Sequence, residues 1–479
     1  MAKVNEYSEY DAVGLAALIR QGEVKASEVH EAAVAAAADI GGKLGALTEG
    51  PFMQESDANP DGELAGVPFV AKDLLIQIRG VAGHGGSGAL ADVPPATEDS
   101  VLMSRFREAG LDLVATTKSP EFGLSVATDQ KWQGSARNPW DTDRGPGGSS
   151  GGSAALVAAG VVPIGHANDG AGSIRIPAGH TGLVGLKPSR GRVPLGPGQQ
   201  ELMYGNVVEF AMTRSVRDTA HLLDLVHGNA PGEKYGAPVP RRRYRDEIVE
   251  GARNTGPLRI AVSTAAWNGV PVDPAVQAGI ARTATVLTEL GHIVEWQDPP
   301  LDWEQFASAL TTTWCAGTAA AVIPLLDAGA DPTAFEATTL TCAEAGRSVT
   351  PMVLAKAFAT NNLVSRCLGA FLRSWDVWLS PTSLAPAPPV GTFDANNPAY
   401  SAADWVRKCI NPYPTLSLFN VSGGPAITVP VAENSSGLPI GVHLGADLYR
   451  EDVLLLVAAE LERAMPWASR RPTIHVNPR

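Results

Sequence analysis

The sequence predicts an α/β fold built as one layered unit over residues 1–479. Short β-rich apolar runs alternate with amphipathic stretches, the pattern of strands and helices packed in layers. Apolar residues make up 44% of the 479 positions and charged residues 18%, enough for a large core under a thinly charged surface. No internal repeat divides the chain. A Pro/Gly-rich, charged run at 228–256 reads as a surface excursion rather than a boundary, because the same strand–helix rhythm resumes after it.

Residues 1–65 read as N-terminal helices. The first, 11–21, closes at Gly22, and a second begins after Ser27 as N-cap and ends at Gly41-Gly42. Residues 66–225 read as the core. There GVPFVA at 66–71 is a strand that delivers Lys72 and Asp73, 100–109 is helical, and 111–116 is a strand. Arg137-Asn138-Pro139-Trp140 is a turn. Residues 154–159 are helical, with Ser153 near the helix start; 161–164 and 183–186 are buried strands, and 213–225 is a helix. Beyond the excursion, 258–262, 292–296 and 377–379 are strands and 275–290 is a helix. Residues 301–374 are largely helical. ITVPV and IGVHL are late strands, and 451–464 is a closing helix.

A net charge of −13 argues against nucleic acid or an anionic membrane as partner. Cys315, Cys342, Cys367 and Cys409 show no ligand spacing, so no metal site is expected, and reduced buried thiols are the default. The start of the chain lacks a basic-then-apolar layout, and no apolar run of about 18 residues is evident. A cytoplasmic protein is expected.

The chemistry concentrates in 144–190, RGPGGSSGGSAALVAAGVVPIGHANDGAGSIRIPAGHTGLVGLKPSR. Two Gly-flanked serine loops there bracket apolar, core-like segments, which ties each loop down and excludes a flexible linker. Ser173 follows Gly170, Ala171 and Gly172, whose amides can hold an oxyanion while the hydroxyl attacks a carbonyl. A hydroxyl that only caps a turn is the plainer alternative. Serine needs a base. His166 and His180 flank the site without a marking Asp/His spacing, whereas Lys72 leaves an apolar strand, where desolvation would depress its pKa. Gly147–Gly151 also fits G-x-S-x-G, but a turn-like segment precedes it where a nucleophile elbow needs a strand. Neither a Walker A motif nor SxxK occurs.

GGSSGGSAALVAAG, NDGAGSIRIPA and VGLKPSRGRVP resemble the signature of the amidase signature family of serine hydrolases. GVPFVAKD upstream and SGGPAITVPV…GLPIGVHLGA downstream extend the likeness over most of the chain. The resemblance implies a mixed central sheet covered by helices on both faces and hydrolysis of C–N amide bonds without a cofactor. It also implies a triad of Lys72 as base, Ser149 as a serine on a cis peptide that relays the proton, and Ser173 as nucleophile. Gly170, Ala171, Gly172 and Ser173 would supply oxyanion amides, Asp169 and Arg175 would brace the loop, and Ser150 would support the lysine–serine network. Many family members carry glycine where Ala171 stands, so its methyl requires a negative φ.

NDGAGS, ARNPW and Cys315 look similar to the branch of cyclic-oligoamide, aryl-amide and urethane-cleaving amidases. Leu124, Trp314 and Cys315 then suggest an apolar pocket, with 301–374 as its wall. The expected partner is a small amide or carbamate, with the chain a monomer or homodimer. A glutaminase-type subunit of a tRNA amidotransferase and a non-catalytic binder of the same fold are the alternatives.

Overall fold

The computed structural model describes residues 4–53, 57–198, 200–251 and 256–477. Its centre is a ten-stranded sheet. In chain order the strands are β1 (Val67–Lys72), β2 (Leu111–Thr117), β3 (Ile164–Asp169), β4 (Val184–Lys187), β5 (Val208–Thr213), β6 (Arg259–Val262), β7 (Ile293–Trp296), β8 (Val377–Pro381), β9 (Ala426–Glu433) and β10 (Pro439–Gly445). They lie in the order β2-β1-β3-β5-β4-β9-β10-β8-β6-β7. Parallel pairs form the two wings, β2-β1-β3 and β8-β6-β7. Antiparallel pairs join them through β5, β4, β9 and β10. Successive strand side chains face opposite sides, so β1 to β5, buried at every position, must be covered on both faces. Helices supply that cover, and the expected α/β class and mixed sheet hold. β7 is the exposed edge, with Ile293 and Trp296 open to solvent.

Local chemistry sets most element ends. The first helix is Ala12–Arg20, capped by the Asp11 side chain on the Gly14 amide, and Gly22 follows at φ 70°. Ser27 is not the cap of the second. That helix, Ala26–Ala36, starts at Lys25, whose N–H donates to Glu28 Oε2 at 3.0 Å. It runs on through Gly41-Gly42 as a wider turn, and the left-handed residue is Gly45.

Two expected elements moved. The strand expected at 161–164 begins at Ile164 instead, and the polar residues His166, Asn168 and Asp169 belong to it. The helix expected from 213 starts at Val216 with Ser215 as cap, because 208–213 form β5. Residues 228–251 run over the surface with Tyr244 and Ile248 turned inward; 252–255 lie outside the described residues.

The helical run 301–374 resolves into Trp303–Asp327, Ala337–Arg347 and Pro351–Leu372. Trp303–Asp327 is long and apolar enough to cross a bilayer by length and composition, which corrects the expectation that no such segment occurs. Here its Trp303, Phe306, Leu310 and Trp314 pack into a core shared with Phe371, Trp378, Trp405 and Phe419.

Candidate active site

β1 ends at Lys72, and its flanks carry the ammonium group inward. The Lys72 side chain is fully buried, and Nζ donates to Ser149 Oγ at 2.7 Å and to Asn168 Oδ1 at 2.5 Å. Its backbone N–H donates to His166 Nδ1 at 3.3 Å. Burial pulls the lysine down to about 7, against the opposing pull of the Asp169 and Glu209 carboxylates. Asp73 faces the other way, its Oδ1 accepting from the His84 N–H at 2.8 Å.

Ser149 follows a cis peptide from Gly148. A Cβ at Gly148 would meet the backbone of Val126 and Ala127 at 2.7 and 2.8 Å, so a side chain is excluded there. Ser150 makes no hydrogen bond to Lys72. Its hydroxyl donates to the Asn168 carbonyl at 3.3 Å, so it reaches the lysine only through the residue that holds it. Ser153 lies inside the helix Gly151–Ala158 and donates to the His166 carbonyl at 2.8 Å, which pins that helix to β3.

After β3 the chain turns through Gly170 to Ser173 into the helix Arg175–Thr181. Asp169 organises this turn. Its carboxylate accepts from the Gly172 amide at 2.7 Å, the Ile174 amide at 3.2 Å and Arg175 Nε at 2.9 Å. Arg175 is wholly buried and also donates to the Leu416 carbonyl and Asn420 Oδ1, with His443 Nε2 at 3.1 Å. Burial would raise the Asp169 carboxyl. The charge and hydrogen bonds of Arg175, with help from Asn420 and Lys187, instead hold it well below the usual carboxylate range.

Because the Gly172 amide is committed to Asp169, it is not an open donor, which removes it from the expected oxyanion set. The amides of Gly170, Ala171 and Ser173 have no acceptor among the described residues. Gly172 has φ 130°, and a Cβ there would meet Leu416 Cδ1 at 2.8 Å. Ala171 is outside the left-handed region, so its methyl is tolerated.

Ser149, Asn168, Gly170, Ala171 and Ser173 line one cavity of about 80 Å³, walled by Leu74, Leu75, Phe122, Val126, Met203 and Trp314. Leu124 is not in this wall. Phe122 and Gly123 adopt φ 49° and 71°, and the chain past them buries Leu124 in the core, its carbonyl held by Trp405 Nε1. Cys315 is not in the wall either: it is a free, buried thiol in hydrogen-bonding contact with the Cys342 thiol, while its neighbour Trp314 does line the cavity. The apolar residues that sequence reasoning missed came from short loops without periodicity. A second chamber of about 430 Å³ adjoins through Leu74, Leu75, Phe122 and Leu202, and reaches Lys72 and Glu209.

Neither flanking histidine bonds to Ser149 or Ser173. Burial lowers His180 to about 4, and its Nε2 contacts the Tyr413 hydroxyl at 3.1 Å. Among the described residues no cluster of His, Cys, Asp or Glu has metal-binding geometry.

Residues 44–455 match the Amidase family. The chain is 35% identical to a 6-aminohexanoate-cyclic-dimer hydrolase of Paenarthrobacter ureafaciens, over 100% of this chain and 99% of that one. It is 37% identical to a putative amidase of Mycobacterium bovis over 96% and 95%. A solved 6-aminohexanoate cyclic dimer hydrolase superposes with TM-score 0.90 at 32% identity, covering 98% of this chain and 99% of that one. A bacterial aryl acylamidase of the amidase signature family superposes with TM-score 0.84 at 27% identity, covering 96% and 99%. The fold, the buried lysine beside a serine, and these likenesses agree: the chain belongs to the amidase family of amidohydrolases, the amidase signature enzymes.

Proposed function

We propose that the protein hydrolyses amides of small, largely apolar or aryl acids and oligoamides through an acyl-enzyme on Ser173, with carbamates and esters as further substrates. One observation carries the reading: a fully buried lysine, drawn down to about 7, donates to Ser149 in the cavity that Ser173 also lines. A neutral Lys72 takes the Ser149 proton as Ser149 takes that of Ser173. The Ser173 oxygen bonds to the carbonyl carbon, and the resulting oxyanion meets the free amides of Gly170, Ala171 and Ser173. The C–N bond then breaks as the proton returns through Ser149 to the departing nitrogen. Water enters along the same proton path, releases the acid and restores the serine.

Apolar walls of Leu74, Leu75, Phe122, Met203 and Trp314 favour an apolar acyl group over free glutamine. Four free cysteines suit a reducing, cytoplasmic setting. A monomer or homodimer completes the reading, since no residue from another chain is needed. The test is a fluorophosphonate probe followed by peptide mapping. The parent should be labelled at Ser173. The folded Ser173→Ala variant should take up no label and lose activity, leaving only about 10³–10⁴-fold rate enhancement over water. Turnover within a few-fold of the parent would overturn the assignment.

A further inference from the structure

Strand register brings a carboxylate to the lysine. Asn168 of β3 lies directly across from Glu209 of β5, and His166 shares the Asn168 face because it is two residues away. Asn168 holds Lys72 Nζ, and His166 Nδ1 accepts from the Lys72 backbone N–H at 3.3 Å. An accepting imidazole nitrogen carries no proton, so the proton of a neutral His166 sits on Nε2. That nitrogen stands 3.3 Å from Glu209 Oε1. The pair is out of line for a hydrogen bond, and neither atom has another partner among the described residues. Both side chains are buried, Glu209 at 2% exposure.

The titratable groups facing Lys72 can be followed element by element. From β3 come His166 and Asp169, and from β5 comes Glu209. β2 presents Thr117, and the loop before the helix Gly151–Ala158 presents Ser149. Asp73 is turned toward His84. Asp169 is bound by Arg175 through both carboxylate oxygens. Among the described residues no Arg or Lys pairs with Glu209, whose nearest ionisable contact is the His166 imidazole. No Arg or Lys therefore draws the Glu209 carboxylate away, and it lines the same chamber as Lys72.

We propose that Glu209, set opposite Asn168 by strand register, is a positioning residue that stabilises the protonated form of Lys72 and so sets the pH above which the lysine can accept the Ser149 proton. The proposal rests on the reading of Lys72 as base. Removing the carboxylate disfavours the ammonium, so the lysine loses its proton at lower pH and becomes a weaker base. The experiment is the kcat/KM–pH profile of parent, Lys72→Ala, Glu209→Gln and Glu209→Asp, each checked for folding by circular dichroism. Glu209→Gln should move the ascending limb down by about 1 pH unit. Glu209→Asp keeps the charge but withdraws it by one methylene, and should give a smaller shift in the same direction. If Glu209→Gln fails to fold, the shift in Glu209→Asp decides. A limb that needs Lys72 but stays in place in the folded Glu209 variants overturns this proposal alone. A limb that survives Lys72→Ala overturns the base assignment and the proposal with it.

Discussion

Lys72 and Arg175 are both wholly buried beside the same turn, yet the protein treats the two cations in opposite ways. Arg175 is paired through two of its nitrogens with Asp169 and spends the rest of its fork on Leu416, Asn420 and His443. Lys72 is given neutral partners, Ser149 and Asn168, and no bonded carboxylate. The paired cation keeps its charge and fixes geometry. The other is left able to shed its proton near neutrality, which the proposed base role requires.

Three variants test that contrast. Lys72→Met, similar in length and uncharged, should lower kcat/KM by at least about 10²–10⁴-fold. It should also make the protein more stable. The lysine's folded value near 7 lies below the ordinary ~10.4. Between those values the unfolded chain binds the proton more tightly, so stability rises with pH across that window. Urea denaturation near pH 7 should show Lys72→Met gaining roughly 1–4 kcal/mol, a gain that vanishes near pH 10.5. A loss of stability near pH 7 would break the comparison.

Arg175→Met should do the reverse, costing about 3–5 kcal/mol because Asp169 is left as a buried, unpaired charge. The Asp169 carboxyl is depressed in the folded state, so its contribution is present above its ordinary pKa and is lost only well below it. The same denaturation series reads both signs. The smallest effect should come from Trp314→Ala, which touches neither cation. It should raise KM for aryl amides by about 10-fold, with kcat nearly unchanged.

Much of the sheet was legible because β1, β2, β4 and β8 to β10 are β-rich apolar runs bounded by turn residues. β3 was displaced toward VVPI because its own residues, His166, Asn168 and Asp169, are polar. Their partners come from Lys72, Glu209, Arg175 and Asn420, and no local pattern announces them. β5 was missed because its apolar run leads straight into the amphipathic pattern of the helix from Val216. In the site, Lys72, Ser149 and Ser173 stand in long motifs and could be named in advance. Leu124 was misplaced because the left-handed pair Phe122 and Gly123 redirects the chain, a turn that residue identity alone does not specify. The commitment of the Gly172 amide to Asp169 was equally invisible, being set by backbone direction rather than side-chain type.

The Asp169–Arg175 clamp also bears on biosynthesis. Its anchors, Leu416, Asn420 and His443, lie 241 to 268 residues downstream of Arg175. A nascent chain carries Ser173 long before it carries the groups that anchor the clamp on its turn, and such distant contacts form late in folding. The turn that carries Ser173 should therefore gain its full bracing only near the end of synthesis. Ribosome-stalled chains ending before β10 should not react with a fluorophosphonate, whereas released full-length chains should.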